Sequence, residues 1–138
     1  MNKQEATKLL ALIKLSYPNA YRDMDDVSKK ATVNMWWNSF SSTPYPVMEI
    51  AFDAFRRKSK YPPTVAEMIE SLRSTYYSAM EDYNVAKFMG NTDLMAKCRY
   101  LMDQTKAYRE SDRQRLFYDA IPMQLLEASA PELPEGMD

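Results

Sequence analysis

Proline, and hardly ever glycine, interrupts this chain of 138 residues. Pro18, Pro44, Pro46, Pro62, Pro63 and Pro122 stand between segments of helical periodicity, and only Gly90 and Gly136 offer glycine's backbone freedom. Proline holds φ near about −65° and pushes the residue before it out of the helical region, so each cluster makes a stiff corner. A fold built on many tight turns is poorly supplied. So are the glycine-rich loops that cradle phosphates, because G-x-x-x-x-G-K and G-x-G-x-x-G both need closely spaced glycines.

Between the corners the apolar spacing is helical nearly throughout. Ala6, Leu9, Leu10, Ile13 and Tyr17 fall on one face of a first helix, and Asn2 with Glu5 forms a capping box at its start. Tyr17-Pro18-Asn19 stops it. A second helix starts near Asp25 or Asp26 and carries Val27, Ala31 and Met35, then Trp36, Trp37 and Phe40. Pro46 suits the first turn of a third helix, where its missing N–H costs nothing. That helix is expected to bury Val47, Ile50, Ala51, Ala54 and Phe55, and to end in Arg56, Arg57 and Lys58 at the negative end of its dipole.

Thr64 with Glu67 is the clearest start signal, an S/T-x-x-E box. Val65, Met68, Ile69, Leu72, Tyr76, Ala79, Tyr83 and Ala86 then hold one stripe until Gly90. Asn91-Thr92-Asp93 reads as a turn and new cap. Leu94, Cys98, Leu101, Thr105 and Tyr108 make a returning stripe, so residues 65–110 read as an antiparallel helical hairpin. Ser111-Asp112 breaks or dents the helix before Leu116, Phe117, Ala120 and Ile121. The expected class is all-α. Its expected organisation is an N-terminal helical domain over 1–75, the hairpin with an apolar-basic segment over 76–126, and a disordered acidic tail over 127–138.

Composition narrows the chemistry. There is no histidine and one cysteine, Cys98, so Ser-His and Cys-His pairs, a disulfide framework and a thiolate zinc cluster are all excluded within the chain. Most familiar enzymes are thereby disfavoured, and no catalytic, cofactor or metal site is expected. Asp25-Asp26, Glu67 with Glu70, and Glu81-Asp82 are the remaining acid–base options. The first two are explained by helix N-termini and the third by a solvated face. Cys98 on the apolar stripe reads as a buried structural thiol. Leu9 to Ile13 is the longest apolar run, far below the ~18 residues of a membrane span. The start lacks the layout of a signal peptide.

The 18 basic and 19 acidic side chains nearly balance, but Glu127, Glu132, Glu135 and Asp138 have no basic neighbour after Arg115. Two basic features stand out. Arg56-Arg57-Lys58-Ser59-Lys60 is either a dipole-complementing helix end or a contact for phosphate or an acidic partner. Arg99, Lys106, Arg109 and Arg113 share a helical face, which is either solvated or, with Tyr100, Tyr108, Phe117 and Tyr118 interleaved, a platform for single strands. The segment Leu116, Phe117, Tyr118, Ile121, Met123, Leu125 and Leu126 is more apolar than a free arm. Either it folds back on the hairpin or it docks on another protein. Eleven methionines fit irregular packing and adaptable interfaces.

Four features in order carry a resemblance. Lys8-Leu9-Leu10-Ala11-Leu12-Ile13 leads to Tyr17-Pro18-Asn19; the Trp36-Trp37 helix follows; Tyr45-Pro46 opens the third helix. Last comes Lys60-Tyr61-Pro62-Pro63-Thr64-Val65-Ala66-Glu67-Met68-Ile69. Over about residues 1–72 this resembles the replicative-helicase loader and inhibitor family of phages of Gram-positive bacteria. The resemblance implies a small helical protein without an ATPase motif, acting in the cytoplasm of the bacterial host. It implies binding to the hexameric replicative helicase, which is held inactive, and to the phage origin-binding replication initiator. Nucleic acid would be reached only indirectly. In that family a C-terminal region that is flexible when free engages the helicase. Residues 73–121 here read as helical instead, so no contact residue is carried over from that region.

Trp36, Phe40, Tyr45, Pro46, Tyr61, Pro62, Pro63, Thr64 and Glu67 are then expected to define the N-terminal domain. Helicase binding falls to Arg109, Arg113, Leu116, Phe117, Ile121 and Leu125. The alternative is a DNA-binding regulatory or packaging module that uses the two basic faces, disfavoured by the near-neutral charge.

Overall fold

The structure, a computed structural model, describes residues 1–109. Five α-helices occupy them: α1 Lys3–Ser16, α2 Asp26–Phe40, α3 Tyr45–Arg56, α4 Val65–Met89 and α5 Thr92–Thr105, closed by a 3-10 turn at Lys106–Tyr108. No strand occurs among the described residues, so the chain is all-α as its periodicity indicates. None of these helices is long and apolar enough to cross a membrane. The break at Ser111-Asp112, Gly136 and the acidic tail lie outside the described residues.

The starts are set by side chains that satisfy free backbone N–H groups. Asn2 and Glu5 cap α1 reciprocally, and Thr64 and Glu67 do the same for α4. Asp25 accepts from the Ser28 N–H and Asn91 from the Leu94 N–H, capping α2 and α5. Pro46 sits in the first turn of α3. Gly90 ends α4 in the left-handed region, φ +70°, where a Cβ would be strained. One glycine thus supplies the turn that proline cannot.

The core lies where α1, α2, α3 and the first half of α4 converge. Leu9, Ile13, Trp36, Phe40, Val47, Met48, Phe52, Met68 and Leu72 are essentially inaccessible there. Burying each such side chain favours folding by roughly 1.5–3 kcal/mol. Tyr17 meets Phe52 edge-on, and its hydroxyl donates to the Ser59 carbonyl at 2.9 Å, tying the end of α1 to the loop after α3. The Ser71 hydroxyl donates to the Ala51 carbonyl, joining α4 to α3.

Two core faces differ from the sequence expectation. On α2, Val27 is 77% exposed and Met35 51%, with Ala31 also in solvent, while Trp36 and Phe40 are buried. That helix carries apolar groups all round, and the large rings win the interior because they remove the most area from water. On α3, Ile50 is 45% exposed and Ala54 and Phe55 are only half-buried; Met48 and Phe52 take their place beside Val47 and Ala51. This helix packs on both α1 and α4, so its buried arc is wider than one stripe and centred differently.

α4 continues unbroken past residue 75, at about 1.5 Å per residue, to roughly 37 Å. Beyond Leu72 it pairs with the returning α5 through small side chains. Ala79, Ala86 and Cys98 are buried along this seam, and their size lets the two helices approach closely.

Candidate partner-docking surfaces

The hairpin carries cations and aromatic rings side by side. The Arg99 guanidinium donates to the Tyr83 hydroxyl at 3.0 Å and lies over the same ring. Arg109 lies over Tyr76, and Arg73 over Tyr77, which meets Tyr76 edge-on. Tyr76 and Tyr83 are seven apart on α4, so α5 and the turn after it deliver Arg99 and Arg109 onto one aromatic line. A single-strand platform would interleave these cations with Tyr100, Tyr108, Phe117 and Tyr118 instead, of which Phe117 and Tyr118 lie outside the described residues. Tyr100 is exposed, and Tyr108 is buried against Phe40. The pairing partners sit on the other helix, which spacing within one segment does not reveal.

Local carboxylates hold part of the other basic run. Arg56 and Arg57 both bind Asp53, at 2.8 and 2.7 Å. Lys58 and Lys60 form no ion pair among the described residues. Of the expected docking residues, Arg109 is described and partly buried. Arg113, Leu116, Phe117, Ile121 and Leu125 lie outside the described residues.

The residues expected to shape the N-terminal domain have different tasks. Trp36, Phe40, Tyr45 and Pro63 are buried, Pro62 is half-buried, and Thr64 and Glu67 make the cap. Pro46 is exposed at the α3 start. The Tyr45 phenol is pushed up by burial and then by the Glu49 and Glu5 carboxylates, while the Lys8 ammonium lies 5.0 Å from its ring centre. Tyr61, 77% exposed, contributes no core packing.

Two further surfaces carried no sequence signal of their own. At the hairpin tip Val85, Phe88 and Met89 project into solvent, Phe88 at 92% exposure, and Leu94, expected on the returning stripe, is 39% exposed after the turn. The second is a cavity of about 390 Å³ between α1, α2 and the loop that joins them. Leu10, Ala11, Tyr21, Met24 and Val33 line it, with Lys14, Arg22 and Lys29 among the polar groups. Tyr21 and Asp23 on this loop have φ of 57° and 62°. A bulky residue such as Tyr21 held there costs roughly 1–3 kcal/mol, while aspartate tolerates the region better.

No group of His, Cys, Asp and Glu able to hold a metal occurs among the described residues. Burial pushes the Cys98 thiol up, and the Asp82 carboxylate adds to the shift, which favours the protonated form over the thiolate.

A core of proline-cornered helices with a hairpin that exposes apolar side chains defines an all-α protein. Residues 1–69, half of the chain, match the family model for the N-terminal domain of a phage helicase loader/inhibitor. The chain belongs to that family, as its ordered aromatic and proline features indicate. No curated protein and no solved structure matches it.

Proposed function

We propose that this protein binds the hexameric replicative helicase and holds it inactive, and helps load it at the phage origin through the origin-binding initiator. It acts in the host cytoplasm by stoichiometric binding, not as an enzyme, and meets nucleic acid only through its partners. Family membership over residues 1–69 carries this reading. The chain's chemistry supports it, since rigid helices, exposed apolar groups and paired arginines suit a partner surface better than a reaction.

The contact with helicase falls to Arg109, Arg113, Leu116, Phe117, Ile121 and Leu125, a segment that joins basic and apolar groups just beyond the packed core. Co-elution of the protein with the helicase on size exclusion tests this. The full chain is expected to form a complex at micromolar concentration. A chain ending at Ser111 keeps Tyr108 and every described core contact, so it is expected to fold and yet not to co-elute. Absence of a complex with the full chain refutes the function. Retained affinity in the shortened chain refutes the docking segment alone.

A further inference from the structure

The cavity between α1 and α2 lies at the edge of the core, where Leu10, Tyr21 and Val33 border both, and it combines this apolar floor with a cationic rim. Leu10, Ala11 and Val33 form the helical walls, while Tyr21 and Met24 close one side. Lys14 and Lys29 on the helices and Arg22 on the loop supply three positive charges against the single carboxylate of Asp23. Lys14 donates to the Ala20 carbonyl, and none of the three cations has an ion-pair partner among the described residues. At about 390 Å³ the cavity is large enough for one or two apolar side chains. The loop that shapes it is held with Tyr21 and Asp23 in left-handed conformations. The arrangement calls for an occupant with an apolar anchor followed by carboxylates.

The chain itself contains such a segment. Met123 and Leu126 precede Glu127, Glu132, Glu135 and Asp138, and no lysine or arginine follows Arg115. We propose that residues 123–138 dock in this cavity of their own chain, apolar side chains on its floor and carboxylates against Lys14, Arg22 and Lys29. The distance permits it. Tyr108 packs on Phe40 at one end of α2, and Lys29 lies eleven residues along the same helix, about 17 Å away. Residues 110–122 can span up to about 43 Å when extended. Tethering makes the contact intramolecular, so weak individual charge pairs act at a high effective concentration. This docking does not depend on the proposed function, because it concerns one chain without a partner.

Zero-length carbodiimide coupling of the full chain, mapped by mass spectrometry, tests the proposal. Mixing ¹⁴N- and ¹⁵N-labelled protein separates links within a chain from links between chains. The expected result is amide links from Glu127, Glu132 or Glu135 to Lys14 and Lys29 within one chain, lost in high salt. The variant R22E/K29E is expected to lose the link at Lys14. Links spread evenly over Lys58, Lys60, Lys87 and Lys97, links only between chains, or no links overturn it. A second measurement leaves the core sequence untouched. In E127Q/E132Q/E135Q the amide resonances of Tyr21 to Met24 and Val33 are expected to shift while those of Phe88 and Met89 stay in place. Unchanged resonances at Tyr21 to Met24 overturn the proposal too.

Discussion

The Thr43 and Tyr108 hydroxyls lie 2.6 Å apart in a buried hydrogen bond between residues 65 positions apart in sequence. Tyr108 follows the end of α5, and Thr43 lies in the corner between α2 and α3. This bond, with the Tyr108 ring tilted against Phe40, fastens the base of the hairpin to the N-terminal core. Tyr108→Phe leaves the Thr43 hydroxyl buried without this partner, and is expected to cost about 1–2 kcal/mol in urea unfolding. Tyr108→Ala also loses the ring and is expected to cost about 3–5 kcal/mol. In the double variant T43V/Y108F both polar partners are gone, so its cost is expected to fall below the sum of the single ones. Simple additivity would show that the hydroxyls do not act together.

Gly90→Ala is expected to lower stability by about 1–2 kcal/mol, because φ of +70° disfavours any Cβ. Nothing lies within 4 Å of the position a Cβ would take, so the penalty is conformational and not steric. Gly90→Asn, which tolerates this region better, is expected to lose less. Thermal unfolding of the two variants side by side checks the order. Equal losses would show that the left-handed backbone at this position does not set the penalty.

Burial pushes the Tyr108 phenol up, an effect the Thr43 bond only partly offsets. Burial likewise raises Tyr21. A raised folded-state value means that the unfolded chain gives up its proton first. The associated stability is therefore complete below the ordinary phenol value of about 10 and is lost as pH rises beyond it. The urea midpoint is expected to drop above that pH, and Tyr108→Phe is expected to flatten part of the drop. An equally steep drop in the variant would place its cause elsewhere.

The buried Cys98 thiol is expected to react with an aromatic disulfide reagent far more slowly in the native protein than in denaturant, at the same pH. Comparable rates would mean that the seam between α4 and α5 opens readily. Cys98→Ser places a hydroxyl among the small side chains of this seam and is expected to destabilise by about 1–3 kcal/mol.

Most of the helix boundaries were legible because they rest on local chemistry. The caps at Asn2, Asp25, Thr64 and Asn91 and the stop at Gly90 each concern a few neighbouring residues. The face of α1 was legible too, since Ala6, Leu9, Leu10 and Ile13 recur at helical spacing and are buried, while Leu15 off that stripe is exposed. The faces of α2 and α3 were not, because both helices carry more apolar positions than one face holds. Which of Met35 or Trp36, and of Ile50 or Met48, goes inside is settled by neighbours from other parts of the chain. The same holds for the surfaces. The partners of Arg99 and Arg109 are Tyr83 and Tyr76, brought near only when α5 returns along α4. Asp23 is of a type that tolerates the left-handed region, but the bulky Tyr21 is not, so its identity did not mark the loop.

A sequence-independent DNA contact would predict strong retention on single-stranded DNA that weakens steeply with salt. With Arg56, Arg57, Arg73 and Arg99 each paired to a carboxylate or a phenol, little retention is expected from the isolated protein at physiological salt. Tight binding that weakens by orders of magnitude with modest added salt would favour the DNA-binding alternative.

On the proposed function the protein restrains a helicase by occupying it. Titrating the protein into the hexameric replicative helicase while following ATP hydrolysis tests this most directly. The turnover rate is expected to fall linearly and then level off at a fixed molar ratio, as stoichiometric binding requires, with loss of suppression in the chain ending at Ser111. A turnover rate unchanged at every ratio, in the presence of a folded protein, would mean that the protein does not restrain the helicase.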